Sequence, residues 1–440
     1  MAVQEPVLSS FFGKRELLIY KGPFILEVEE STISVDGEIR MLFGYSNFIQ
    51  LEGSVESQQT ELIDFINKKD KGTTLRTKTN LTAQIGHVGG VFNLWEPHST
   101  ISATPNFISS FSEALMIDCL QLHVSNFIEL RGGSVVDYGN LRTLTHMTVI
   151  IEEWELTIQR GYDIESKKMV KNSEDEWDYA LTHIIEIRKT NNVPFLKEDA
   201  EAIIETLRLG LNLCSGRRVG FPILTGYRKG EKVAEEYKRI FMDRYGKKSN
   251  WVRDQLGLLD ELLPKIHRII KNDYIHTAFA RSIHWLCEAN QTSFVGQPAI
   301  PAQVGLETVW WVILTQLPES PMSEREFNKK IPKAYMRMKK MAEVIQLNTD
   351  IPNLPSLHLQ ETNIKDLPTL FTQYRNHLTH PKPNAVFEKM SVMDSYSIGR
   401  TGILYLELGL LYIIGYKGNY LHHSDQKEWQ TKRVPWAFET

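Results

Sequence analysis

The spacing of apolar residues changes near residue 190 of this 440-residue chain, and that change constrains the fold more than any other feature of the sequence. Before it, apolar and polar residues alternate in short runs such as Leu120–Val124 and Trp154–Ile158, which is the period of a β-strand. After it, apolar residues recur three and four positions apart, as between Ala200 and Leu211, which is the period of a helix. The sequence therefore predicts an α+β protein with a β-rich amino-terminal part and a helical carboxy-terminal part.

The strand-like runs fill the first 190 residues. Asp36-Gly37 lies between two of them, and this dipeptide is a strong signal for a two-residue hairpin turn. Gly89-Gly90 and Gly132-Gly133 separate other runs. Many short strands joined by turns are typical of a sandwich or a jelly roll. We therefore predict a β-rich, sandwich-like domain over residues 1–190.

Beyond residue 190 the chain predicts helices, with Pro- and Gly-rich breaks at 296–301 and 351–355. The predicted helices are 197–214, 231–245, 250–272, 276–290, 303–317, 333–347, 366–380 and 390–416. This part divides into a helical connector at 191–264, an all-α bundle at 265–425 and a tail at 426–440.

Composition and charge exclude some classes of protein. A net charge of −4 gives no overall attraction to nucleic acid, so contact with RNA requires a local basic patch. The amino-terminal residues lack the basic segment and the apolar core of a signal peptide, so we do not expect one. The apolar run Ile403–Tyr416 is too short to span a bilayer and contains Glu407. We therefore expect a cytoplasmic protein.

No pattern for a metal or a nucleotide cofactor stands out. His87, His98 and His123 are isolated, and none has a second ligand at metal-binding spacing. The chain has no P-loop and no dinucleotide fingerprint, and its three cysteines are far apart without a CxxC pair. We expect neither a metal nor a cofactor.

The segment Tyr374–Pro381 concentrates groups that handle phosphate. The guanidinium of Arg375 is always positively charged and presents paired N–H donors that suit a phosphate. His380 can take and give a proton near neutral pH. Asn376 and His380 are one helical turn apart on the predicted helix, whereas Arg375 lies well around it from His380. Pro381 disfavours helical geometry at His380, so the helix is predicted to end there.

Arg375-Asn376, three further residues and then His380 resemble the Arg-(Asn/Asp)-x-x-x-His motif of the HEPN superfamily. The flanking helices, Val304–Leu314 before the motif and Gly402–Gly415 after it, resemble those of the ApeA-like HEPN branch of bacterial antiphage defence. The resemblance implies an all-helical bundle with metal-independent ribonuclease activity. It also implies a homodimer that shares one active site and a role in abortive infection.

The resemblance assigns each motif residue a role. The RNA 2′-hydroxyl attacks the adjacent phosphorus and leaves a 2′,3′-cyclic phosphate. His380 acts as general base or acid, Arg375 stabilises the charge on the phosphorane oxygens, and Asn376 orients the histidine or binds a phosphate oxygen. Some HEPN toxins have a tyrosine two residues after the histidine, where this chain has Lys382. Regulation through the β-rich region, by a phage-derived or small-molecule trigger, is therefore the favoured mode of control.

Two further groups are candidates for the site. Glu307 could pair with Arg375, or it could simply be a polar residue at a helix edge. Lys333, Arg337 and Lys340 are spaced to form one cationic stripe along a helix, which could bind an RNA backbone or be a solvated face.

A non-enzymatic interpretation also stays open at this point. The helical bundle could be a dimerisation or nucleotide-binding scaffold, with a β-rich domain that binds a carbohydrate or protein ligand. The presence of Arg375, Asn376 and His380 together favours the enzyme, because a scaffold has no need for all three.

Overall fold

The structure of the protein is a computed structural model, and it describes most of the chain. The residues described are 3–4, 11, 14–29, 31–43, 47–55, 65, 73–78, 81–91, 99–128, 130, 134–137, 142–161, 179–245, 250–252, 257–292, 294–357, 359, 362–380, 384–423 and 430–438. Gly132-Gly133, named above as a break between strand-like runs, lies outside these residues.

The chain forms two compact units that each draw on two segments. The β unit comprises residues 1–201 and 219–247, and the helical unit comprises residues 202–218 and 248–440. The prediction of an α+β protein, β-rich at the amino terminus and helical at the carboxy terminus, is therefore confirmed at this coarse level.

The described strands of the β unit are β1 (Val3–Gln4), β2 (Glu16–Val28), β3 (Ser31–Phe43), β4 (Asn47–Val55), β5 (Thr73–Thr77), β6 (Thr82–Val91), β7 (Ser99–Ser109), β8 (Cys119–Ser125), β9 (Ser134–Asp137), β10 (Arg142–Ile151), β11 (Trp154–Arg160), β12 (Leu181–Lys189), β13 (Gly220–Arg228) and β14 (Glu231–Lys238). They form one sheet in the order β1-β9-β10-β11-β12-β8-β13-β14-β7-β4-β3-β2-β5-β6. Adjacent strands are antiparallel except β1 and β9.

One part of this sheet closes on itself. Strand β7 pairs with β4 and also with β6, so β7, β4, β3, β2, β5 and β6 form a closed six-stranded ring. On β3, alternate residues such as Val35, Ile39 and Met41 point inward and are buried. A row of alternating apolar residues on every strand is what fills the inside of a small barrel. The remaining eight strands extend from the end of β7 as an open sheet, so the β-rich region is a closed ring with an extension rather than a sandwich.

Asp36-Gly37 is not the predicted hairpin turn. Both residues lie inside β3. Gly37 pairs with Gly22 of β2 on one side and with Gly53 of β4 on the other. A Cβ atom at Gly37 would collide with the main chain of Glu52 and Gly53. Glycine is needed here because the two backbones approach closely. Gly89-Gly90 likewise lies inside a strand, β6.

The predicted helix at 231–245 is also wrong, because residues 231–238 form β14. Lys229 and Gly230 have positive φ angles of 52° and 82° and make the tight turn from β13. Strand β14 then pairs with β13 and with the end of β7. The helix-forming Glu, Lys and Ala residues of this segment are overridden by pairing partners on both sides. The connector at 191–264 therefore contains a β-hairpin that belongs to the β unit.

The described helices are α1 (Glu201–Ser215), α2 (Leu258–Ile270), α3 (Asp273–Gln291), α4 (Ala299–Thr315), α5 (Glu324–Lys330), α6 (Ala334–Val344), α7 (Leu367–Thr379), α8 (Ala385–Glu388) and α9 (Val392–Ile413). Seven of the eight predicted helices are confirmed with shifted ends, and α5 and α8 were not predicted. Within the predicted tail, residues 430–433 form β16, which pairs with β15 (Asn419–His422), and a 3-10 turn follows at Pro435–Phe438.

Helices α4 and α9 form the centre of the helical unit and run in the same direction. Gly305 of α4 faces Leu406 of α9, and Val309 faces Gly409 one turn further along both helices. Glycine at these positions allows the two backbones to approach closely. The amino-terminal ends of α4 and α9 therefore lie at one end of the bundle and their carboxy-terminal ends at the other.

Candidate functional site

Helix α7 presents the Arg375–His380 motif at its carboxy-terminal end. It begins after Asp366, whose carboxylate accepts a hydrogen bond of 2.9 Å from the Thr369 backbone N–H. Its apolar face, including Leu370, Phe371 and Tyr374, is buried. Leu378, which follows Tyr374 by four positions, is 37% exposed. The helix ends at Thr379, and His380 has extended backbone angles of φ −112° and ψ 141°.

Arg375 and Asn376 are in contact. The Arg375 Nη1 donates a hydrogen bond of 3.3 Å to the Asn376 Oδ1, and both side chains are half-buried. The Arg375 Nε is buried and has no hydrogen-bond partner among the described residues. Because Asn376 takes only part of the donor set of the guanidinium, the remaining donors can serve an anion.

His380 caps the end of α7 with its backbone and leaves its ring exposed. Its backbone N–H donates to the Asn376 carbonyl oxygen at 2.9 Å. Within the described part of the chain, no hydrogen bond or ion pair engages its imidazole. His377 differs, because its half-buried ring packs against Phe387 at 5.5 Å between centroids. The structure thus brings Arg375 and Asn376 together and holds His380 on the same helix end, without a contact from its ring to either.

The motif lies at the end of the bundle where α4 and α9 begin. Gly296, just before α4, is so close to Tyr374 and Ser395 that a side chain there would collide with both hydroxyls. Tyr374 and Ser395 share a short hydrogen bond, and burial raises the pKa of Tyr374. This end also carries large exposed apolar side chains, which are Phe294, Val295, Leu378, Val392 and Met393.

The other predicted site residues are engaged elsewhere. Glu307 accepts a hydrogen bond of 3.3 Å from Gln303 and forms no ion pair with Arg375 within this described chain. Arg337 donates to the Ile331 carbonyl oxygen at 2.9 Å and lies over the Phe327 ring. Lys340 pairs with Glu343 at 3.0 Å. Of the predicted cationic stripe, Lys333 at the start of α6 is the member for which the described structure gives no partner.

The sequence pattern did not reveal a buried polar network in the helical unit. Arg400 of α9 donates to Asn290 Oδ1 at 3.0 Å and to His423 Nδ1 at 2.7 Å. His423 Nε2 in turn lies 2.5 Å from the Glu407 carboxylate, and both of these side chains are fully buried. The sequence signal for it was a charged residue, Glu407, inside the apolar run Ile403–Tyr416.

The geometry of this network sets the hydrogen-bonding role of each ring nitrogen of His423. Because the Arg400 guanidinium only donates, Nδ1 of His423 must accept. Its Nε2 donates to the Glu407 carboxylate. Burial lowers the pKa of Arg400, and the Glu407 charge opposes that shift. The network joins α3, α9 and the segment after β15, and its charges are enclosed in the helical unit.

The β unit has a cavity of about 710 Å³ on the outer face of the closed ring. Gly37 and Gly53 form part of its wall, and its other walls are mostly polar. Arg40 donates to Glu38 at 2.9 Å and also bonds to Glu16. The polar lining side chains are Glu16, Glu38, Arg40, Gln50, Glu52, Thr100 and Ser102.

Among the described residues, no three His, Cys, Asp or Glu side chains lie together as a metal site requires. Among the described helices, none has both the length and the apolar character of a membrane-spanning segment.

Comparison with known proteins gives two matches to family models and one curated relative. Residues 112–248 match the family model described as the YopA central domain, and residues 272–434 match the YopA C-terminal domain. Over 407 residues the chain is 23% identical to the SPbeta prophage-derived uncharacterized protein YopA of Bacillus subtilis (strain 168), covering 92% of this chain and 91% of that protein. No solved structure matches. Over most of its length, therefore, the chain is similar to YopA.

Proposed function

We propose that this protein is a HEPN-type, metal-independent endoribonuclease that acts as a homodimer in conflict between phage and host. The observation that carries the proposal is the end of α7, where a half-buried guanidinium with spare donors, an amide and an exposed imidazole occur within six residues. The prophage origin of the YopA relative is in keeping with the proposed biological setting.

In the proposed reaction, His380 removes the proton from a ribose 2′-hydroxyl, and the 2′-oxygen attacks the adjacent phosphorus. The bond from phosphorus to the 5′-oxygen breaks, and a second imidazole returns a proton to that oxygen. Arg375 stabilises the negative charge on the phosphorane. The products are a 2′,3′-cyclic phosphate and a 5′-hydroxyl.

A second copy of the chain would supply the second imidazole. Phe294, Val392 and Met393 are 70%, 66% and 51% exposed at the end of the bundle that carries the motif. Large exposed apolar side chains grouped at one end of a protein favour association there. A two-fold axis at this end would place two copies of Arg375 and His380 across one site.

The N-terminal region has a proposed regulatory role. Its polar cavity of about 710 Å³ has the size of a small-molecule site and supports a trigger of polar, hydrogen-bonding character. Contact between RNA and α6 would depend mainly on Lys333 at the start of that helix. Arg337 and Lys340 would first have to exchange their present partners for phosphate.

The test compares RNA cleavage by the wild type, His380→Ala and the control His377→Ala, each with EDTA present. Loss of general acid–base catalysis should lower the rate of His380→Ala by about a hundredfold or more. His377→Ala should stay near the wild-type rate, because its ring packs on Phe387 outside the motif. Equal rates for all three proteins, or no cleavage by any, would favour the non-catalytic scaffold.

Mixing the wild type with an excess of His380→Ala tests whether the site is shared. If one site needs an imidazole from each copy, mixed dimers should lack one of them, and the activity per wild-type chain should fall as the variant is added. An activity per wild-type chain that does not change would instead indicate that each chain carries its own complete site.

A further inference from the structure

A cavity of about 600 Å³ lies in the helical unit at the end opposite the motif. It is lined where α2, α4 and α9 end, by residues such as Ile269, Ile313 and Tyr412. Tyr412 is 17 residues after Ser395 on α9, so the cavity lies about 25 Å along that helix from the motif end. It is therefore a separate site.

Most of the side chains that line the cavity are apolar or aromatic. Trp436 donates its indole N–H to the Tyr416 carbonyl oxygen at 2.7 Å, so the polar atom of the ring is already satisfied. The Tyr412 ring meets the indole edge-to-face at 5.3 Å between centroids. Ile313, Leu317 and Pro318 complete an apolar wall. These surfaces suit a flat or aliphatic ligand body.

The charged residues of the lining are mostly cationic. Lys265, Arg268 and Lys417 contribute positive charge, and Glu319 contributes one negative charge. Lys265 is engaged, because it donates to the Gly415 carbonyl oxygen at 2.7 Å at the end of α9. The exposed side chains of Arg268 and Lys417 have no ion-pair partner in the described structure. An anion could bind them without displacing an internal ion pair.

We propose that this cavity binds a small amphipathic anion, with its apolar or aromatic body against Tyr412 and Trp436 and its anionic group at Arg268 and Lys417. Nucleoside monophosphates and medium-chain fatty acids both have this chemistry. A volume of about 600 Å³ is within the usual range for small-molecule sites.

The experiment uses anilinonaphthalene sulfonate, an aromatic anion whose fluorescence rises on binding. The wild type should bind it saturably, and the double variant Arg268→Glu/Lys417→Glu should bind about tenfold more weakly, a difference of about 1.4 kcal/mol. Leu317→Trp should also weaken binding by filling the cavity. The matched control is Arg281→Glu/Lys389→Glu, which changes two exposed cations that lie outside the cavity lining and should leave the affinity unchanged.

Competition identifies the class of ligand. Displacement of the dye by adenosine monophosphate alone indicates a nucleotide site, and displacement by decanoate alone indicates a fatty-acid site. Displacement by neither, or equal dye binding by the cavity variants and the control variant, would overturn the proposal. Circular dichroism should show the same helical content in all variants. The measurement does not depend on RNA cleavage.

Discussion

The two units bury titratable side chains in different ways. In the β unit, His183 is 4% exposed, and its Nδ1 has no hydrogen-bond partner among the described residues. Burial lowers its pKa to about 3 and lowers that of His123 to about 4. In the helical unit, Arg400, His423 and Glu407 are buried as a hydrogen-bonded chain.

This difference has a physical basis. An isolated histidine can be buried in its neutral form, because its ordinary pKa is close to neutrality and desolvation only needs to lower it. Arginine cannot lose its proton in a protein, so a buried arginine requires partners that balance its charge. The β unit should therefore respond mainly to pH, and the helical unit mainly to removal of one partner.

The largest expected effect is in the helical unit. Glu407→Leu would leave Arg400 buried without its carboxylate and should lower the free energy of unfolding by about 3–5 kcal/mol. Replacing all three side chains, as Arg400→Met/His423→Phe/Glu407→Leu, should restore much of the loss, because no charge then remains buried. Urea denaturation followed by circular dichroism measures both. An equal loss of unfolding free energy in the single and the triple variant would show that the packing of these side chains, rather than the buried charge, determines the stability.

The second effect is the pH dependence of the β unit. The folded-state pKa values of His123 and His183 lie below the ordinary 6.5, so the unfolded chain binds more protons. Above pH 6.5 these two histidines therefore do not lower the free energy of unfolding. As the pH falls from 6.5 towards 4, the free energy of unfolding decreases, by about 3 kcal/mol for His123. His123→Leu/His183→Leu should flatten the dependence of unfolding free energy on pH. The exposed-histidine control, His380→Ala, should keep the wild-type slope, and an unchanged slope in the double variant would contradict the assignment.

The smallest effect tests a local feature, the start of α7. Asp366→Ala removes the carboxylate that caps Thr369 and should lower the free energy of unfolding by about 1 kcal/mol. Asp366→Asn keeps an acceptor and loses only the exposed pair with Lys339, so it should cost less than about 0.5 kcal/mol. Denaturation of both variants in parallel separates the cap from the ion pair. If Asn cost as much as Ala, the ion pair would be the larger contribution.

The sequence predicted the structure correctly where that structure is local, since the end of α7 at His380 followed from Pro381. The prediction was wrong at 231–238 and at Asp36-Gly37, where neighbouring strands decide the conformation. Arg375, Asn376 and His380 could be selected because they are close in sequence. The Arg400–His423–Glu407 chain and the two cavities could not, because their residues meet only after folding.

The sequence by itself determined the division into a β-rich and a helical part, and it brought the candidate motif residues onto one helix end. These properties depend on short-range periodicity and on one proline, which act over a few residues. Only the tertiary structure decided that the amino-terminal strands close into a ring, that 231–238 joins the sheet, and that Glu407 is balanced by Arg400 through His423. These outcomes depend on partners distant in the chain, because burial and strand pairing depend on which residues pack against a segment once the chain has folded.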